Sequence, residues 1–206
     1  MNLHITGSPD ATLGELPGAE LVDFVVIGGS AGAIEILGLA TSHLTARFGP
    51  AMAVVVHMAQ DARPILPEIL RAAGRPPIKV AEDKEPIAPG TIYFAPPGYH
   101  LLVEREHTFA LSVDEPEHFS RPSIDVLFES AADAYQARVA GVILSGANSD
   151  GAAGLRAIAD AGGTTLVQKP ETADSRQMPE AALRACPASK VVDGPTLAKW
   201  LASLER

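Results

Sequence analysis

Three segments of the chain, Phe24–Ile27, Ala51–Val56 and Val139–Leu144, are apolar at every position, with no polar residue on alternate sites. A strand with one wetted face alternates. A strand apolar on both faces must be covered on both, and that requires helices above and below a largely parallel sheet. The rest of the chain supplies them. Helical patterns are expected over 31–47 (core face Ile34, Leu37, Leu39 and Leu44), 63–71, 124–137, 152–161, 179–185 and 195–204, alternating with shorter strands in "PIKV", "GTIYFAPP", "GTTLVQ" and "KVVD". "YHLLVE" and "TFALSV", separated by Arg105-Glu106-His107, read as a hairpin within 99–113. The expected fold is a three-layer α/β/α sandwich with a mostly parallel sheet and a β-hairpin insertion.

No internal repeat or linker interrupts residues 21–206, so these are read as one domain. Residues 1–20 lack periodicity and read as a flexible leader. The formal net charge of −9 disfavours binding to nucleic acid or to an anionic membrane surface. No apolar run approaches a membrane span, the N-terminus is no secretory signal, and the single cysteine, Cys186, forms no internal disulfide. A cytoplasmic protein is expected.

Ligands in such sheets bind beyond the carboxyl ends of the strands, near a reversal in strand order. That filter selects three side chains. Ser30 follows the first apolar strand in "GGSAG", His57 ends the second in "AVVVH", and Asp150 follows the third in "SGANSDGAAG". "GGSAG" fits the G-x-S-x-G turn that exposes a serine hydroxyl, although Ser30 serving only as a helix N-cap fits equally well. The N–H groups of Ala31 and Gly32 stand where an anionic tetrahedral intermediate would need donors. A neutral His57 would take the serine proton, and Asp150 would orient the ring, with an N-cap role for Asp150 as the plainer alternative. Asp125 and Asp133, inside a helical pattern, read as surface charges. His4, His43, His100, His107 and His118 lack a comparable position.

Nucleotide binding is the weaker reading of the same turn. Gly28 to Ala33 runs G-G-S-A-G-A, placing Ser30 where a dinucleotide fingerprint needs glycine, and His57 stands where an acid would hold a ribose. No spacing of His, Asp or Glu resembles a metal-ligand set.

The order Ser30…His57…Asp150 differs from the Ser…Asp…His order of α/β-hydrolases. Together with "VVIGGSAGAIEIL", "AVVVHM", "PGTIYFAPPGYHLLV", "RPSIDVLFESAA", "GVILSGANSDGAAGL" and "GGTTLVQKPETADSRQMPEAAL", it makes residues 23–192 resemble the catalytic domain of CheB-type chemotaxis receptor methylesterases. That resemblance implies hydrolysis of glutamyl methyl esters on methyl-accepting chemotaxis receptors, with deamidation of some glutamines as a second activity. It implies Ser30 as nucleophile, His57 as general base, Asp150 as its partner, and no cofactor or metal. The family's patterns commonly read Ser-Thr-Gly-Gly where Ser30-Ala31-Gly32-Ala33 stands, glutamine where Val56 stands, and methionine where Ala147 stands. Regulated members carry a receiver domain ahead of the esterase. The expectation here is a stand-alone domain that is constitutively open or governed by a separate partner. A scaffold module that keeps the fold without turnover is the alternative.

Overall fold

A computed structural model describes residues 12, 14, 16–18, 21–57 and 75–206. The helix expected over 63–71 and most of the leader lie outside the described residues.

Seven strands form one sheet: β1 (Phe24–Gly29), β2 (Ala51–Val56), β3 (Ile78–Val80), β4 (Ile92–Phe94), β7 (Val139–Ile143), β8 (Thr164–Gln168) and β9 (Lys190–Val192). Their order is β3-β4-β2-β1-β7-β8-β9, and every pairing in it is parallel. β5 (His100–Val103) and β6 (Phe109–Ser112) pair antiparallel in a separate hairpin, as the sequence pattern predicts.

The wholly apolar strands are explained by two cores. Val25 and Ile27 of β1, with Met52 and Val54 of β2, face α1 (Ala33–Thr41) and the C-terminal helix α5 (Gly194–Ser203), where Trp200 and Leu201 are fully buried. Phe24 and Val26, with Ala53 and Val55, face the other way, onto α2 (Ile124–Tyr135), α3 (Ala152–Asp160) and α4 (Gln177–Ala185). Residues 24–27 are each at most 1% exposed. Each such side chain contributes about 1.5–3 kcal/mol relative to leaving it in water. The three-layer sandwich with a parallel sheet is therefore the observed fold. Leu16 packs on the first core, and the Pro17 carbonyl accepts the Trp200 indole N–H at 3.0 Å. No helix among the described residues is long and apolar enough to cross a membrane.

The first helix departs from expectation. It runs Ala33–Thr41, not 31–47, because Gly32 precedes it in the left-handed conformation (φ 79°). At the other end the hydroxyls of Thr41 and Ser42 turn back onto the Leu37 and Leu39 carbonyls, and a turn follows. Ala33, Leu37, Ala40 and Thr41 are buried, while Ile34 and Leu39, expected in the core, are 48% and 38% exposed.

Candidate active site

From β1 the chain proceeds to β2 on one side, and from β7 to β8 on the other, so strand order reverses between β1 and β7. The carboxyl ends of β2, β1 and β7 are adjacent there, and Ser30, His57 and Asp150 leave from those three ends.

The end of β1 is built by close packing. A Cβ on Gly28 would stand 2.3 Å from Ile124 Cγ2, and one on Gly29 would stand 2.5 Å from the Ala33 Cβ. Only glycine lets the first turns of α1 and α2 approach this strand so closely. The turn beyond is clamped from β7. Ser30 N donates to the Ser145 carbonyl (2.8 Å), while Ser145 Oγ donates to the Ala31 carbonyl (2.6 Å). Ser145 is itself held by Gln168, whose Oε1 accepts the Ser145 N–H at 2.8 Å. The Ser30 side chain does not cap α1; Gly32 holds the N-cap position, with no side-chain cap. Among the described residues, the N–H groups of Ala31 and Gly32 have no hydrogen-bond partner.

At the end of β2, the His57 N–H donates to the Gly29 carbonyl (3.0 Å), fixing the imidazole residue beside the Ser30 turn. The ring is mostly buried, at 11% side-chain exposure, and its Nε2 lies 2.8 Å from Asp150 Oδ2. Nδ1 faces Ser120 Oγ at 3.4 Å. Since the carboxylate accepts from Nε2, Nδ1 carries the lone pair and the Ser120 hydroxyl donates to it. The fold thus brings His57 and Asp150 into direct contact. No hydrogen bond joins Ser30 Oγ to this ring among the described residues.

Asp150 is fully buried and does not cap the helix that follows it. Its carboxylate closes the start of α2 instead. Oδ1 accepts from Ser123 Oγ (2.8 Å) and the Asp125 N–H (3.0 Å), and Oδ2 accepts from His57 Nε2 and the Ile124 N–H (2.7 Å). Burial pushes its pKa up, but the bonds from His57, from the Asp125 and Ile124 N–H groups and from Ser123 outweigh that and hold it below the usual carboxylate range.

Asp125, expected at the surface, is 3% exposed. Its Oδ1 accepts the Gly154 N–H of α3 at 2.6 Å, and its Oδ2 lies 3.3 Å from His118 Nε2. Each helix therefore receives the other's carboxylate: the acid before α3 closes α2, and an acid of α2 closes the first turn of α3. Burial is the main cause raising the Asp125 pKa to about 6, and the charge on Asp150 adds to it.

Ser120, Ser123 and Ser145 were not among the sequence candidates, and only Ser123, standing ahead of an apolar helical pattern, carried a sequence signal as an N-cap. His100 is structural: it is buried, its Nδ1 accepts the Ser123 N–H, and Nε2 bonds the Glu115 carbonyl. His107 stacks on Tyr135, His43 pairs with Ser42, and His4 lies outside the described residues. Asp133 bears out as an exposed charge. His118, Asp125 and Asp150 each bring one ligand atom within 4.8 Å of the others. Both Asp150 oxygens already accept two hydrogen bonds, so no lone pair is left for a cation.

A family model described as CheB methylesterase matches residues 25–201. An inferred protein-glutamate methylesterase/protein-glutamine glutaminase of Leptospira interrogans is 42% identical over 182 residues, 88% of this chain and 94% of that protein. Protein-glutamate methylesterase/protein-glutamine glutaminase 4 of Myxococcus xanthus is 38% identical over 88% of this chain, which spans 52% of that protein. The crystal structure of the Thermotoga maritima CheB methylesterase catalytic domain superposes with a TM-score of 0.83 at 28% identity, covering 89% of this chain and 98% of that one. Strand ends, close-packed glycines and paired imidazole and carboxylate thus coincide with a sequence match along nearly the whole described sheet, and the chain belongs to the CheB methylesterase family.

Proposed function

We propose that this chain is a serine hydrolase that removes methyl esters from glutamates of a protein, with Ser30, His57 and Asp150 as its triad. The observation that carries this reading is the 2.8 Å contact between His57 and Asp150 at the strand ends where Ser30 emerges. Asp150 holds the ring as the Nε2–H tautomer and stabilises the imidazolium that forms in the reaction. Nδ1 takes the Ser30 proton as Oγ attacks the ester carbon. The oxyanion is received by the N–H groups of Ala31 and Gly32. Nδ1 returns its proton to the departing methoxide, giving methanol, and a water then hydrolyses the acyl-serine by the same proton path. A glutamine side chain follows the same course with ammonia leaving.

The relatives are named for both activities. Their naming supports a protein glutamate ester as the substrate, and membership of the CheB family supports a methyl-accepting chemotaxis receptor or related methylated sensory protein, acted on in the cytoplasm. Serine approaches its base more closely in substrate complexes than in free enzymes, so the lack of a bond from Ser30 Oγ to the ring among the described residues fits this mechanism. The same separation, with Ser120 on Nδ1, favours the alternative of a scaffold without turnover. One assay separates them. Methanol release from methylated receptor is expected for the native protein and absent for Ser30→Ala; no release from the native protein, or equal release from both, would sink the hydrolase.

A further inference from the structure

Between β6 and α2 the chain reverses in two residues. Glu117 and Ser120 exchange both backbone hydrogen bonds, at 3.2 and 2.8 Å, and the residues between them, His118 and Phe119, are both left-handed (φ 49° and 62°). Such reversals normally take Asn or Gly, because a Cβ crowds the neighbouring carbonyl in that conformation. A phenylalanine here is conformationally unfavourable, and burial does not compensate for it: Phe119 is fully exposed. Strain of this kind concentrates at functional segments.

Side chains on either side of Phe119 bond toward the site, although His118 is itself partly exposed. His118 reaches Asp125, Ser120 reaches His57, and Ser123 reaches Asp150. Arg121 fastens the base of the segment by donating to the Val113 and Asp114 carbonyls at 2.8 and 2.9 Å. The turn is mounted on the imidazole–carboxylate pair, and its most exposed side chain is an aromatic ring.

We infer that Phe119 is a specificity-determining residue, seating against an apolar side chain of the protein segment that carries the ester. The inference rests on the hydrolase reading above. An ester carbonyl placed between Ser30 and Nδ1 carries the body of any protein substrate across the turn that touches Nδ1. A rigid aromatic ring is suited to anchoring such a contact at little entropic loss. The surroundings narrow the partner's chemistry. Asp114, Glu115 and Glu117, all exposed, lead into the turn, and Glu129, whose pKa burial chiefly raises, is raised further by the charge of Glu117. Such an acidic approach repels a surface rich in free carboxylates and accepts one whose glutamates are esterified or whose neighbours are neutral or cationic. Substrate is thereby preferred over product.

The test compares kcat/KM on a methylated receptor signalling fragment with kcat/KM on a small ester, doubly blocked glutamate γ-methyl ester. Phe119→Gly removes the ring and suits the left-handed backbone, so its melting temperature should not fall. Its protein-to-small-ester ratio should drop tenfold or more, and Phe119→Tyr should restore the ratio to within threefold. A ratio unchanged in Phe119→Gly, or a parallel fall on both esters, overturns the inference while leaving the hydrolase standing. Should neither ester be hydrolysed in a Ser30-dependent way, the hydrolase reading fails. Binding of the fragment to Ser30→Ala and to Ser30→Ala/Phe119→Gly then decides the inference: tenfold weaker binding by the double variant supports it, and equal or absent binding overturns it.

Discussion

His57 meets Asp150 through Nε2, which leaves Nδ1 as the ring nitrogen facing the Ser120 hydroxyl. In the serine-protease arrangement the ring is used the other way round, with Nδ1 on the acid and Nε2 on the serine. Nitrogen-15 NMR should therefore find neutral His57 protonated on Nε2. In Asp150→Asn the carboxamide can present N–H to that nitrogen and favour the opposite tautomer. Methanol release should fall by roughly 10³–10⁴-fold. An Nδ1-protonated ring in the native protein, or full activity in Asp150→Asn, would remove this pair from the mechanism.

Ser123 supplies both an N-cap for α2 and a hydroxyl to Asp150. Ser123→Ala loses both, and about 1–2 kcal/mol of unfolding free energy should go with them. The carboxylate keeps three donors, so turnover should drop by less than in Asp150→Asn. Denaturant unfolding and steady-state rates on one preparation check the two effects together.

Gly28 has no room for a side chain. Gly28→Ala would bring its Cβ within 2.3 Å of Ile124 Cγ2, and overpacking of this kind costs about 1–3 kcal/mol. Ile124→Ala removes the opposing atoms at a cost of its own, about 2–5 kcal/mol. Combined, the two should be less destabilising than their sum by about 1 kcal/mol or more, because each relieves the other. Strict additivity would show that the strand end and α2 are not in register as described.

Asp125 gives stability a pH dependence of unusual sign. Its pKa, raised by burial and by Asp150 to about 6, lies above that of an unfolded aspartate, so the folded protein holds the proton more tightly. That contribution is present below about pH 4 and is lost as the pH rises toward 6, amounting to roughly 2–3 kcal/mol. His118, Asp150 and Glu129 are the charged groups acting on it. Asp150 works in the opposite direction. Its lowered pKa gives stability that is present above the ordinary aspartate range and lost as the pH falls through its folded value. Asp125→Asn should abolish the slope between pH 4 and 6 while leaving the acid limb. A pH dependence between pH 4 and 6 that is the same in Asp125→Asn as in the native protein would contradict the burial of this carboxylate.

That the three candidates would lie near one end of the sheet was legible because Ser30 and His57 directly follow, and Asp150 comes shortly after, strands apolar on both faces. Such a strand fixes its own direction and the layer it occupies, and hence the end from which the next residue emerges. What joins the candidates was not legible. Asp125 falls at a helical spacing that normally faces solvent, and its burial arises only because two helix starts meet. Ser120 and Ser145 act through loops, where no periodicity reports a partner 63 or 114 residues away. The face of α1 was misjudged on spacing: Leu37 and Leu39, two residues apart, lie on opposite sides of a helix, and with Leu37 buried Leu39 turns outward.

The exchange of carboxylates between α2 and α3 bears on how a chain of this design diverges. Asp150 fastens the start of α2 whatever its part in catalysis, so a descendant without turnover would still be penalised for replacing it. Selection would release Ser30 first and the acid last. Among degenerate copies, an intact aspartate testifies to a sound scaffold, and the serine alone testifies to turnover.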